Sequence, residues 1–169
     1  MKALTLHQPY ASLMALGIKT IETRSWKTNY RGPIAIHSSR RIVNYIDSSL
    51  KNYLENKLGP LENLPKSGIL AICNLYDCIE MTYDNCPTDF MECKCGLFYP
   101  GRFMWKTELI KTFKKPIPAR GKQGLWTIDD ELLRVCRVCG CSEFNACVGE
   151  DGPCHWVEKD LCSACKETA

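Results

Sequence analysis

The chain has 169 residues, 45% hydrophobic and 24% charged, with a formal net charge of +3. That length supports one core of ordinary size and a small appendage, and excludes two full domains. No apolar run approaches the roughly 18–20 residues of a membrane span, and Gln8 and Pro9 interrupt the first apolar stretch too early for a secretory signal, so a cytoplasmic address without a membrane partner is expected.

Met1 to Leu6 reads as a short strand, broken by His7, Gln8 and Pro9. Tyr10 to Leu16 is rich in helix formers, and Gly17 stands where a helix would stop. Ile18 to Trp26 reads as a loop leading into a strand, and Ile34 to His37 as a buried strand after the Gly32–Pro33 punctuation. Arg40 to Leu58 recurs in Ile, Tyr and Leu as an amphipathic helix does, ending at Gly59–Pro60. Ser67 to Glu80 is a long apolar strand. Met81 to Gly101 is irregular, in the manner of an inserted loop, and carries Cys86, Cys93 and Cys95. Phe103 to Phe113 alternates as a strand; Pro116 and Pro118 keep the next segment extended. Gly124 to Ile128 is the last strand, after which Asp129 or Asp130 caps a short helix over ELLRVC. Several strands, two or three short helices and no βαβ alternation predict a mainly β (α+β) fold of barrel type.

The charge is unevenly placed. Residues 1–42 carry +6, residues 43–100 carry −4, residues 101–122 carry +6 and residues 123–169 carry −5. Two basic segments that meet in space make a positive patch suited to phosphates; two that do not are ordinary solvated surface.

Within Gly17-Ile18-Lys19-Thr20-Ile21-Glu22-Thr23-Arg24-Ser25-Trp26, Lys19, Glu22 and Arg24 fall within six residues of one another. In an extended segment Glu22 and Arg24 share a face, and Lys19 can join them from the preceding turn. On its own this is a mixed-charge loop, of a kind usually solvated and worth little. The pattern Gly-x-Lys-x-x-Glu-x-Arg resembles the signature of the ASCH superfamily, a relative of the PUA-like RNA-binding barrels. The opening LHQPYASLMALGIKTIETRSW, the strand YRGPIAIHSSR, the stretch SGILAICNLYDCIE and the ending FMWKTELIKTFKKPIPARGKQGLW resemble that family in the same order. The resemblance implies an ASCH domain over residues 1–130 with an insertion around 81–101.

It also implies a cleft beside the motif loop that holds RNA, DNA or a modified nucleotide. Carried over by position, Lys19, Glu22 and Arg24 belong to the motif, Gln8 and Tyr10 to its rim, and Trp26 and Arg31 lie just beyond. Lys and Arg suit phosphate, Glu can accept from an exocyclic amine, and Tyr10 or Trp26 can stack on a base, although aromatics of this kind more often pack in a core. His37 and His7 read as packed histidines. Some ASCH proteins are amidohydrolases acting on N4-acetylcytidine, and others are reported as ribonucleases; an enzyme of either kind would use Lys19 and Glu22 here. The amidohydrolase pattern has threonine three residues after its lysine, where this chain has Glu22, so binding is the primary expectation.

From Cys136 the chain reads CRVCGCSEFNACVGEDGPCHWVEKDLCSAC, with seven cysteines and His155 inside 30 residues. Cys136-x-x-Cys139 and Cys162-x-x-Cys165 are separated by 22 residues, slightly more than a zinc ribbon usually has. Two such turns can complete a tetrahedron of thiolates about Zn2+, and in a reducing compartment metal is the first alternative to disulfides. Cys141, Cys147, Cys154 and His155 offer a second set, with the adjacent pair awkward on one ion. An iron–sulfur cluster would also accept four cysteines, although no ferredoxin spacing is present. Residues 134–166 are thus expected to form a small module folded by metal. It resembles cysteine-rich tails on some phage-associated proteins. Its acidity disfavours phosphate contact and suits bracing or docking a protein partner. Cys86, Cys93 and Cys95 are either ordinary thiols or further ligands. A zinc-dependent adaptor is the remaining alternative to a nucleic-acid binder.

Overall fold

Strand β1 (Lys2–Gln8) sends Leu4 and Leu6 to one face of a sheet and Ala3 and Thr5 to the other, as period-two geometry requires. The computed structural model containing it describes residues 1–43, 46, 48–149 and 152–168. Strand β3 (Gly32–Ile42) runs parallel to β1, with Ile34 and Ile36 beside Leu4 and Leu6, and His37 opposite Thr5. Strands β2 (Ile21–Arg24), β4 (Gly68–Glu80), β5 (Phe103–Pro118) and β6 (Leu125–Thr127) complete a six-stranded sheet ordered β2-β5-β4-β3-β1-β6. Register shifts interrupt the long β4–β5 pairing at three places, and such bulges let strands bend into a barrel-like wrap. Arg24, on edge strand β2, donates from Nη2 to the Thr5 carbonyl of β1 at 3.3 Å, so the curved sheet brings its two sides together.

Helix α1 (Tyr10–Ala15) covers one face of the sheet, burying Ala11, Met14 and Ala15 against Leu4, Ile34, Leu75 and Trp105. The other face packs Ala3, Ala35 and Ile69 against Phe113, Ile117 and Trp126. Helix α2 (Ser48–Leu58) seats Leu50 and Leu54 over Leu13, Leu61 and Leu64. It is shorter than the helix expected from Arg40, because Arg40 to Ile42 continue β3; residues 44, 45 and 47 of that stretch lie outside the described residues. A third helix, α3 (Phe90–Lys94), occupies the segment expected to be irregular, and Asp89 caps it by accepting from the Glu92 amide at 2.9 Å. Strand β5 runs on to Pro118 because Gly68 and Ile69 of β4 pair with Pro118 and Ile117. The helix expected after Asp129 is a single 3-10 turn, Asp130–Leu133. No described helix is long and apolar enough to cross a membrane.

Beyond it the tail has two short hairpins, β7 (Val148–Gly149) with β8 (Gly152–Pro153), and β9 (Trp156–Glu158) with β10 (Leu161–Cys162). Its buried cluster consists of Leu161 and the cysteines 136, 141, 162 and 165.

Candidate functional site

The structure brings Lys19, Glu22 and Arg24 together. Gly17, in the left-handed region at φ +69°, ends α1 and turns the chain so that Lys19 drops beneath the following strand. The Lys19 side chain has no solvent exposure; its ammonium group donates to the Ile21 carbonyl and lies 3.5 Å from Glu22 Oε2. Glu22 Oε1 is 3.2 Å from Arg24 Nε, so one carboxylate faces two cations. Tyr10 places its ring 5.9 Å from Lys19 Nζ, and burial is the main cause pushing its hydroxyl above the ordinary tyrosine value.

The other rim residues have separate tasks. Gln8 is buried, donating to the Pro65 carbonyl at 2.6 Å and accepting from the Ser12 amide at 3.1 Å. Trp26 meets Trp105 edge-on with 4.6 Å between ring centroids, and its carbonyl accepts from the Trp105 indole. Arg31 reaches Asp77 at 3.4 Å. A cavity of about 530 Å³ opens beside Lys19, lined also by Thr20, Tyr76, Thr107 and Glu108.

Glu92 has a role that the sequence did not signal. It leaves α3 and accepts from the amide and hydroxyl of Thr20 and from the Ile21 amide, so the inserted segment is fastened to the motif strand. Only 6% of Glu92 is exposed. An acidic residue three positions after a capping aspartate was the available clue, but a helix of five residues gives no periodicity to read.

A larger cleft, of about 1030 Å³, lies on the sheet face that carries Thr5 and His37. Arg40, from the end of β3, and Arg120 and Lys122, from the loop between β5 and β6, are placed around it. The two basic segments therefore meet here. The floor is His37, 2% exposed, whose Nε2 lies 3.0 Å from the Ala119 carbonyl while Nδ1 has no hydrogen-bond partner among the described residues. Since a carbonyl only accepts, Nε2 carries the proton and Nδ1 presents a lone pair. Burial lowers the His37 value below the ordinary one, opposed by the Ala119 carbonyl. Gly121 lies so close that a Cβ there would stand 2.4 Å from His37 Cε1. The tail supplies one wall through Phe144, an aromatic ring that is 59% exposed.

In the tail, the sulfurs of Cys136, Cys139, Cys162 and Cys165 lie within 4.8 Å of one another, and so do those of Cys139, Cys141, Cys147 and Cys162. Either group could hold a metal ion. Cys154 is 3.6 Å from Cys141, sulfur to sulfur, whereas His155 uses its backbone amide to reach Ser163 Oγ. The cysteines of the insertion take no part in these groups. Cys86 and Cys93 donate to the carbonyls of Thr82 and Pro87, and burial pushes the Cys95 thiol up to about 11.

A family model, the ASCH domain, matches residues 4–117, which include the motif loop and nearly all of the sheet through β5. This chain belongs to the ASCH domain family. Activating signal cointegrator 1 of Homo sapiens is 26% identical over 134 residues, and the same protein of Mus musculus is 26% identical over 135 residues. Each alignment takes in 76% of this chain and 22% of the relative, so the chain spans about a fifth of the length of these curated relatives. The ASCH match ends before the cysteine-rich tail.

Proposed function

We propose that this ASCH protein binds nucleic acid, single-stranded RNA foremost, in the cleft rimmed by Arg40, Arg120 and Lys122. The observation that carries this reading is the convergence of basic segments distant in sequence on one concave surface. Three cations at its rim can displace counterions from successive phosphates. Phe144 offers a stacking face to a base, and Ser39 and Gln123 offer polar contacts to base edges. Lys19 and Glu22, whose charges face each other, then shape the domain beside the ligand, and Arg24, 25% exposed, is the member able to add a contact.

The test is fluorescence anisotropy of short RNA and DNA strands at two salt concentrations, comparing wild type with an Arg40→Ala, Arg120→Ala, Lys122→Ala triple variant. Losing three phosphate contacts should weaken binding at least tenfold at low salt and lower the salt slope by about 2. Binding that the triple variant leaves unchanged would overturn the cleft assignment.

A second reading comes from the smaller cavity. Its size suits a single nucleoside, and Lys19 lines it. A hydrolase of this family using Lys19 and Glu22 would act there on N4-acetylcytidine or RNA. Turnover abolished in Lys19→Ala would establish that activity, and absence of turnover in wild type would exclude it.

For the tail we propose zinc, in a structural or protein-docking role. Four sulfurs within 4.8 Å suit one tetrahedral ion, whereas an iron–sulfur cubane seats each thiolate on a different iron, farther apart. An all-thiolate shell leaves no open position for substrate water, so the ion's role is to hold the tail and its Phe144 wall.

A further inference from the structure

The two groups of cysteines overlap: Cys139 and Cys162 belong to both. Two separate tetrahedral ions need eight ligands, and the tail has seven cysteines. We propose that the tail holds two zinc ions in one binuclear cluster, bridged by the Cys162 thiolate, with Cys154 rather than His155 completing the second ion. This rests on the zinc reading of the tail.

Geometry supports each part. At a Zn–S length of about 2.3 Å, neighbouring sulfurs of a tetrahedron stand about 3.8 Å apart. Within the first set Cys139–Cys162 is 3.8 Å, and within the second Cys147–Cys162 is 3.7 Å and Cys141–Cys154 is 3.6 Å. All are far from the roughly 2.05 Å of a disulfide. The Cys162 sulfur lies within 4.8 Å of thiols of both halves: Cys136 and Cys165 on one side, Cys141 and Cys147 on the other. Cys154 brings its sulfur to 3.6 Å from that of Cys141, a member of the second group. Its amide also donates to the Cys147 carbonyl at 2.9 Å, fixing its approach. The first ion is then held by the cysteines 136, 139, 162 and 165, and the second by 141, 147, 154 and the shared 162.

Loading requires no redox change. Seven thiols release their protons to solvent and two divalent ions take their place, leaving a cluster of net charge about −3. Compensating groups lie close by: Cys141 donates its amide to the Cys139 sulfur at 3.4 Å, and Lys114 donates to the Val138 carbonyl at 2.8 Å. The second ion also has a structural consequence. Phe144 sits in the loop between Cys141 and Cys147, closed by reciprocal hydrogen bonds between Ser142 and Asn145, so this ion clamps both ends of the loop that forms the cleft wall.

The experiment is native mass spectrometry of the full chain purified with zinc, followed by 113Cd NMR of the cadmium-substituted protein. The expected result is two ions per chain and two cadmium resonances coupled through a shared sulfur. His155→Ala should retain two ions, and Cys154→Ser should retain one. A single ion in wild type, or two ions without coupling, overturns the bridged cluster while leaving a metal-bearing tail intact. No bound zinc overturns both this proposal and the zinc reading. Because the wild-type measurements decide the question, a variant that fails to fold does not obscure it.

Discussion

Lys19 places an ammonium group where its side chain has no exposure, with Glu22 3.5 Å away and the Ile21 carbonyl as its other acceptor. Burying a charge is tolerable only when its partners are kept, and removing one partner costs more than removing the charge itself. Glu22→Gln, which also strips Arg24 of its carboxylate, should therefore destabilise the domain by about 3 kcal/mol in urea unfolding. Lys19→Met, which takes away the charge and leaves Glu22 paired with Arg24, should cost distinctly less; the reverse order would show that the trio is not a buried ion network. His37 gives a prediction in pH. Its folded value lies below 6.5, so the unfolded chain binds this proton first. The stability it contributes is complete above pH 6.5 and is lost as pH falls through the folded value. Unfolding free energies at about pH 7.5 and about pH 5 should differ less in His37→Gln than in wild type, and an unchanged difference would remove His37 from the account.

At the scale of elements, α3 is a five-residue helix that packs Met91 beside Leu13 and Leu54 and sets the Glu92 carboxylate against Thr20 and the start of β2. Because β2 is a sheet edge, the Thr20 and Ile21 amides depend on that carboxylate. Glu92→Ala should speed hydrogen exchange at these amides roughly 30-fold, corresponding to about 2 kcal/mol for lost charge-assisted bonds. Exchange that stays unchanged would mean the insertion only rests on the strand. This contact shows where sequence reasoning stops. Strand β4 was legible because a long apolar run bounded by Ser67 and Glu80 admits little else, and α1 because Gly17 stops it. The insertion helix was not, since a local cap and a tertiary hydrogen bond stabilise it rather than a periodic pattern. Strand β5 outran its expected end at Phe113 for a related reason: its prolines lack a donor, yet the pairing of Ile117 with Ile69 continues the ladder. Gly121 is a similar case, its need visible only once His37 stands against it. Gly121→Ala should cost about 1 to 3 kcal/mol, the usual penalty of overpacking, and should weaken RNA binding along with it.

Across the whole molecule, the alternation of charge was readable, but which cations would meet was not, because Arg40 and Arg120 become neighbours only through the pairing of β3, β4 and β5. The motif residues were readable as a group, yet their mutual neutralisation depends on burial that no spacing reports. The cysteine tail was readable as a set of residues that could hold a metal, while the overlap of its two groups needs coordinates. Its stability is a property of the assembly. The buried cluster there contains four cysteines and Leu161, too little apolar area for an independent core. A contact with the sheet such as Lys114 to Val138 is polar and exposed. On the proposed zinc reading, metal would supply most of the tail's folding free energy, and the sheet, with its own cores on both faces, should be nearly indifferent to it. Chelation of the zinc-loaded chain should raise hydrogen exchange throughout residues 136–165 while leaving β1, β3 and β4 protected. Phe144 would lose its place at the cleft, so RNA affinity should fall several-fold without loss of the salt dependence carried by Arg40, Arg120 and Lys122. If chelation instead unfolds the sheet as well, the tail is part of the ASCH core; if it changes neither exchange nor binding, thiolate–metal bonds do not hold the tail.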